Sequence, residues 1–284
     1  MQIDRRHLLQ GATALAGAAT LGQPAFAQAT PLQVGFIYVG PVGDFGWSTM
    51  HDVARKRLEE VMGAAVKTTA VEAVAANDME RVATQLARQG HKLIFTTSFS
   101  FFQPTMRVAP TLPGVFFESA TGTRTADNVS LYNARFYEGR YIQGVIAARK
   151  SKSKTIGYIA AFPVPEVIHA INTVMRGAWS VDPAMKIRVV WANAWFNPGR
   201  EADAARALID QGCDVICQHT DSPAPLQLAN ERGVFGFGQA SDMTRFAPKA
   251  HLTSSINNWG DYYVERALSL IHISEPTRPR LISY

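Results

Sequence analysis

Two cysteines in 284 residues, Cys213 and Cys217, are all the thiol this chain has. If the run from Asp214 to His219 is a strand, their Cα atoms lie ~13 Å apart at ~3.3 Å per residue, too far for a disulfide. Both are expected to be reduced and buried. Only His219 stands near them, so a metal reading lacks its further ligands, and His51, His91, His169 and His251 are isolated from one another. There is no Gly-x-Ser-x-Gly, which excludes a nucleophile elbow. There is no Gly-x-Gly-x-x-Gly either: Gly40, Gly43 and Gly46 have the wrong spacing and enclose Asp44, whose charge would repel a pyrophosphate. Neither cofactor nor catalysis is expected.

The two ends read differently from the middle. Arg5-Arg6, the Ala/Gly run 11–21 and Ala25-Phe-Ala27 form a basic, apolar, small-residue export signal over 1–27, of the twin-arginine kind. Cleavage is expected after Ala27, and with no Cys following, no lipid anchor is expected. From Leu268 the chain resembles a translated sequencing adapter, so 268–284 is set aside as an expected artefact. Residues 28–267 then hold 24 basic and 21 acidic side chains, a net charge of +3. Lys150-Ser-Lys-Ser-Lys154 reads as a solvated loop, and no nucleic-acid partner is expected.

What is present is a strand, 32–39, running into Gly40-Pro-Val-Gly-Asp-Phe-Gly-Trp47. In an open α/β sheet the loop after the first strand walls the ligand crevice. Trp47 can stack on a planar ring and Asp44 can accept hydrogen bonds from its N–H groups. A helix (48–62), a strand (64–71), a helix to Gln89 opened by a capping-box-like Asn77-Asp-Met-Glu80, and strands at 92–97, 115–118 and 128–132 follow. A second copy of the rhythm places helices at 138–150, 166–179, 201–211 and 224–232 and strands at 155–160, 187–191, 215–218 and 234–237. Apolar strands alternating with amphipathic helices predict an α/β protein with two parallel sheets and a cleft between them. Residues 28–134 plus 238–267 are assigned to lobe 1 and 135–237 to lobe 2.

Trp195, in the turn after 187–191, reads as the counterpart of Trp47 across the cleft, with core packing the competing reading for both. Phe99, His219-Thr-Asp221 and Gln239-Ala-Ser-Asp242 lie at the same level, where an Asp can equally be a cap.

Val39-Gly-Pro-Val-Gly-Asp-Phe-Gly-Trp-Ser48, Phe136-Tyr-Glu-Gly-Arg-Tyr-Ile-Gln-Gly144, 157–166, Trp195-Phe-Asn-Pro198, Gln218-His-Thr-Asp-Ser-Pro223 and Ser241-Asp242 occur in order. Together, over 31–266, they resemble the basic membrane protein (BMP) family of ABC-transporter substrate-binding proteins. The resemblance implies a type I periplasmic binding protein fold: two Rossmann-like lobes with parallel sheets, an interlobe cleft and hinge strands. It implies a purine base or nucleoside sandwiched by Trp47 and Trp195 and read by Asp44. Phe99 and Glu138 border the pocket, Asp221 replaces part of a glycine-rich loop, Asp242 matches a ribose-binding acid, and Asn257 stands where the family has a Lys. The expected function is a monomeric periplasmic purine-binding component that delivers to an inner-membrane ABC permease. A purine-sensing receptor component or a nucleoside-processing enzyme are the alternatives.

Overall fold

The computed structural model describes residues 30–274. The expected export signal at 1–27 and residues 275–284 lie outside the described residues. Five strands build the first sheet: β1 (Leu32–Ile37), β2 (Val66–Val71), β3 (Leu93–Thr96), β4 (Phe116–Ala120) and β5 (Val129–Tyr132). All pair in parallel, in the order β2-β1-β3-β4-β5. The helices of this half are α1 (Gly46–Met62), α2 (Met79–Arg88) and α3 (Phe102–Val108). The second half runs α4 (Phe136–Lys150), β6 (Thr155–Ala160), α5 (Pro165–Trp179), β7 (Lys186–Trp191), α6 (Pro198–Asp210), β8 (Val215–His219), α7 (Ala224–Arg232), β9 (Phe235–Ala240) and β10 (His251–Ile256), and α8 (Gly260–Ser274) ends the described chain. Its sheet, also parallel, has the order β10-β9-β8-β6-β7. The two sheets share one topology, in which the first strand of each (β1, β6) is flanked by its second (β2, β7) and third (β3, β8).

Strand alternation sorts the core onto two faces of each sheet. Val34, Phe36 and Tyr38 face Leu58 of α1 and Trp259 and Tyr263 at and within α8, while Ile37 faces Met79, Val82 and Leu86 of α2. In the second sheet Ile156, Tyr158 and Ala160 face α4 and α5, and Ile159 faces Ala204 and Leu208 of α6. Helices α4 and α5 touch backbone to backbone: a Cβ on Gly177 would stand 2.1 Å from the Tyr141 carbonyl oxygen, and one on Gly144 2.0 Å from that of Val174. Cys213 and Cys217 are buried free thiols, as expected, and burial pushes the Cys213 thiol up to about 11 and that of Cys217 to about 12.

Two expectations need correction. The capping box at 77–80 does not form: 76–78 make a 3-10 turn, α2 starts without a side-chain cap, and the acids pair instead with Arg81 and Arg107. The return to the first lobe does not begin at Gly238, because β9 and β10 both pair in the second sheet; the chain rejoins the first lobe's core at Trp259. Residues 268–274 continue α8, with Leu270 in the same core cluster as Val34 and Phe36. Helix α8 is fixed to β4 by the buried Glu118, which accepts hydrogen bonds from the Tyr262 hydroxyl and Arg266 Nε, each at 2.6 Å.

Candidate ligand-binding site

In doubly wound sheets ligands sit beyond the carboxyl ends of the strands where the strand order reverses. That point lies between β1 and β3 in one lobe and between β6 and β8 in the other. One cavity spans both. Val39, Gly40 and Trp47 follow β1, Ser98 and Phe99 follow β3, Glu166 follows β6, Trp195 and Phe196 follow β7, and His219, Thr220 and Asp221 close β8, with Gln239 from β9. The space is about 460 Å³ including its open mouth.

Both indoles are held by their edges. Trp47 Nε1 donates to the Thr97 carbonyl at 2.6 Å, and Trp195 Nε1 crosses the cleft to donate to Ser100 Oγ at 2.8 Å. Behind the cavity Trp47 stands edge-on to His51 (4.7 Å) and Trp259 (5.4 Å), so it belongs to a core cluster and to the cavity wall at once. Trp195 leans on Phe162 at 5.3 Å. With their N–H groups engaged, what these rings have left to offer is a π-face.

The acids divide. Asp221 lines the cavity and accepts the backbone N–H of Trp47, while Ser241 Oγ accepts that of Gly46 at 2.7 Å. Helix α1 has neither a side-chain cap of its own nor an acid in its first turn. Its N-terminus is capped instead by two side chains of the opposite lobe. Gly46 makes this possible: its φ is +87° and a Cβ there would meet the Asp221 carboxylate at 2.6 Å. Burial pushes the Asp221 carboxyl up to about 7, with the Trp47 amide pulling it down and Glu201 adding to the rise. Burial likewise pushes Glu166 up to about 7, the Thr121 hydroxyl acting against it. His219 is held well below the usual histidine range by burial and by the Arg140 guanidinium.

Of the eight residues singled out by sequence, Trp47, Phe99, Trp195 and Asp221 meet in this cavity and four do not. Asp44 sits on the rim with a side chain 75% exposed, bound to Arg245 at 2.8 Å. The reason is Phe45, which packs edge-on against Phe246 and leaves the preceding residue outside. Glu138, 54% exposed, pairs with Arg135 in the first turn of α4. The helix turns Arg140 inward in its place, and Arg140 donates to Gln143 Oε1 and Gln239 Oε1. Asp242 caps the turn at 244–246, accepting from Thr244 N and Oγ1, which holds its carboxyl below the usual range. Asn257 is buried on the return crossing, its N–H given to the Ala240 carbonyl, and does not line the cavity.

Glu166, Phe196, His219 and Gln239 are cavity residues to which the sequence reading gave no role. The topology also corrects the pairing of turns: Trp195 follows β7, the second strand of its sheet, so the true counterpart of the Trp47 turn is the segment 161–166. Counting strands within the second copy would have pointed to Glu166, the first acid after its first strand.

Two parallel sheets of one topology, joined by crossings at 133–135 and 257–259 and enclosing a cavity at their switch points, define a two-lobed periplasmic-binding-protein fold of type I. A crystal structure of an ABC transporter solute-binding protein from Aeropyrum pernix has this fold, with a TM-score of 0.74 at 21% identity over 85% of this chain and 71% of that one. The chain belongs to the Bmp family, the PnrA-like ABC transporter substrate-binding proteins, whose family model matches residues 32–274. It is 58% identical over 241 residues to a purine-binding protein of Brucella abortus, covering 84% of this chain and 69% of that protein. It is 42% identical over 228 residues to a Haloferax volcanii protein provisionally named an ABC transporter glucose-binding protein, covering 80% of this chain and 58% of that relative's length. No described helix is long and apolar enough to cross a membrane.

Proposed function

We propose that this chain captures a purine for an ABC importer, enclosing the base between its lobes with Trp47 and Trp195 as stacking walls. The observation that carries this reading is the pair of edge-anchored indoles, one from each lobe, lining a single cavity at both switch points. The similarity to a purine-binding protein supports the ligand class. Capture works by closure. A ligand that touches both lobes favours the state in which Asp221 and Ser241 cap α1 and Arg245 meets Asp44 at the rim. The closed form then presents both lobes, as a monomer on the outer side of the inner membrane, to a permease. Phe99 borders the base, and Asp221 narrows the space a sugar would need, so a free base is favoured over its nucleoside.

Calorimetric titration with adenine, adenosine, inosine and glucose tests this. Adenine is expected to bind more tightly than adenosine, inosine to be recovered unchanged, and glucose to give no heat. Binding of glucose without purine would transfer the reading of the Haloferax relative to this chain; turnover of inosine would make it an enzyme.

A further inference from the structure

We propose that Glu166 sorts purines by their hydrogen-bonding edge, offering a neutral carboxyl, one donor and one acceptor, to the amino edge of adenine. This rests on the purine-capture reading and names the residue that chooses among purines.

Glu166 lies in the first turn of α5, directly after Pro165, and lines the cavity. Its Oε2 is buried and meets no donor in hydrogen-bond geometry; Oγ1 of Thr121, the first-lobe hydroxyl beside it, is likewise unpaired in that sense, yet it is the neighbour that pulls the carboxyl's proton affinity down. A buried carboxylate oxygen with no donor is costly, so the group either keeps a proton or meets a donor on the ligand. The groups around it do little to hold it ionised. His219 on β8 is neutral, Asp221 is itself an acid of raised affinity for protons, and Tyr158 on β6 keeps its proton. Arg140 on α4 is spent on Gln143 and Gln239 and forms no ion pair among the described residues. The α5 dipole favours the anion, yet burial prevails and leaves the carboxyl at about 7.

The two protonation states read different edges. A neutral carboxyl accepts from the 6-amino group of adenine through its carbonyl oxygen and donates its O–H to a ring nitrogen, the pairing that a Gln or Asn amide makes with this base. A carboxylate has two acceptors and would set one against that ring nitrogen's lone pair. It fits guanine instead, whose N1–H and 2-amino group are both donors.

The test measures Kd for adenine and for guanine at about pH 6 and about pH 8, on wild type, Glu166→Gln and Glu166→Ala, with thermal unfolding confirming that each variant is folded. The readout is the ratio of the two affinities, because proton uptake by Asp221 on closure affects both bases alike and cancels. For a group at about 7, adenine affinity should fall and guanine affinity rise about tenfold each over this interval, so the wild-type preference for adenine should fall about 100-fold. Glu166→Gln, which keeps the donor and acceptor at every pH, should prefer adenine with a constant ratio. Glu166→Ala should lose both the preference and its pH dependence. A wild-type ratio that does not move with pH, or one that still moves in Glu166→Gln, would overturn the assignment while leaving purine capture standing. Absence of any purine binding by wild type would instead remove the capture reading and this inference with it.

Discussion

Removing the carboxylate that caps α1 from across the cleft should weaken ligand capture without harming either lobe. In Asp221→Ala the Trp47 N–H loses its acceptor in the closed state, while in the open state that group is met by water in wild type and variant alike. Loss of an N-cap costs about 0.5–2 kcal/mol. Charged to closure alone, that lowers the closed population and reduces apparent affinity by roughly 2- to 30-fold. Calorimetry reads the affinity, and small-angle scattering of the free and ligand-bound protein reads the closed fraction. Asp221→Asn keeps an acceptor and should recover most of the loss. The pH dependence has a definite sign. The closed-state carboxyl lies at about 7, above the ~3.9 of an exposed aspartate, so closure takes up a proton. This contribution is fully present below the open-state value, is lost as pH rises towards 7, and is constant above that. Asp221→Asn should therefore flatten part of the rise in wild-type Kd between about pH 5 and 7. Unchanged affinity and closed fraction in Asp221→Ala would refute the capping argument, and Gly46→Ala, which drives a Cβ into the same carboxylate, provides the steric counterpart with the same expected loss.

Aromatic-base stacking is worth about 1–3 kcal/mol per base, so Trp47→Ala and Trp195→Ala should each weaken adenine binding roughly 10- to 100-fold and reduce the fluorescence response; wild-type affinity would return the residue to a packing role. Asp44→Asn removes only a rim ion pair with an exposed carboxylate, so affinity should shift by no more than a few-fold, and a loss beyond 100-fold would restore Asp44 as the base-reading acid. Gly177→Ala forces α4 and α5 apart where a Cβ stands 2.1 Å from a carbonyl oxygen; overpacking of this kind costs about 1–3 kcal/mol or more and should lower Tm, whereas an unchanged Tm would mean the helices can slide without loss.

The alternation of apolar strands with amphipathic helices, the two copies of that rhythm, and the aromatic turn after the first strand were legible from sequence, because side-chain period and loop position are local properties of the chain. Trp47, Phe99, Trp195 and Asp221 could be chosen for the same reason: they follow strands, and strand ends face the crevice in this kind of sheet. Tertiary structure alone decided the rest. Whether Asp44 reads a ligand depends on Phe45 finding Phe246 about 200 positions later in the chain, and no local pattern encodes that contact. Glu138 and Arg140 share one helix turn, and only the packing of α4 determines which of them is buried. The strand order gave the segment 161–166, and with it Glu166, the place that sequence proximity had assigned to the turn of Trp195. The cap of α1 by Asp221 exists only when the lobes meet, since its donor and acceptor are 174 residues apart: sequence determines what each lobe is made of, and the closed arrangement of the lobes determines which of those groups become a site.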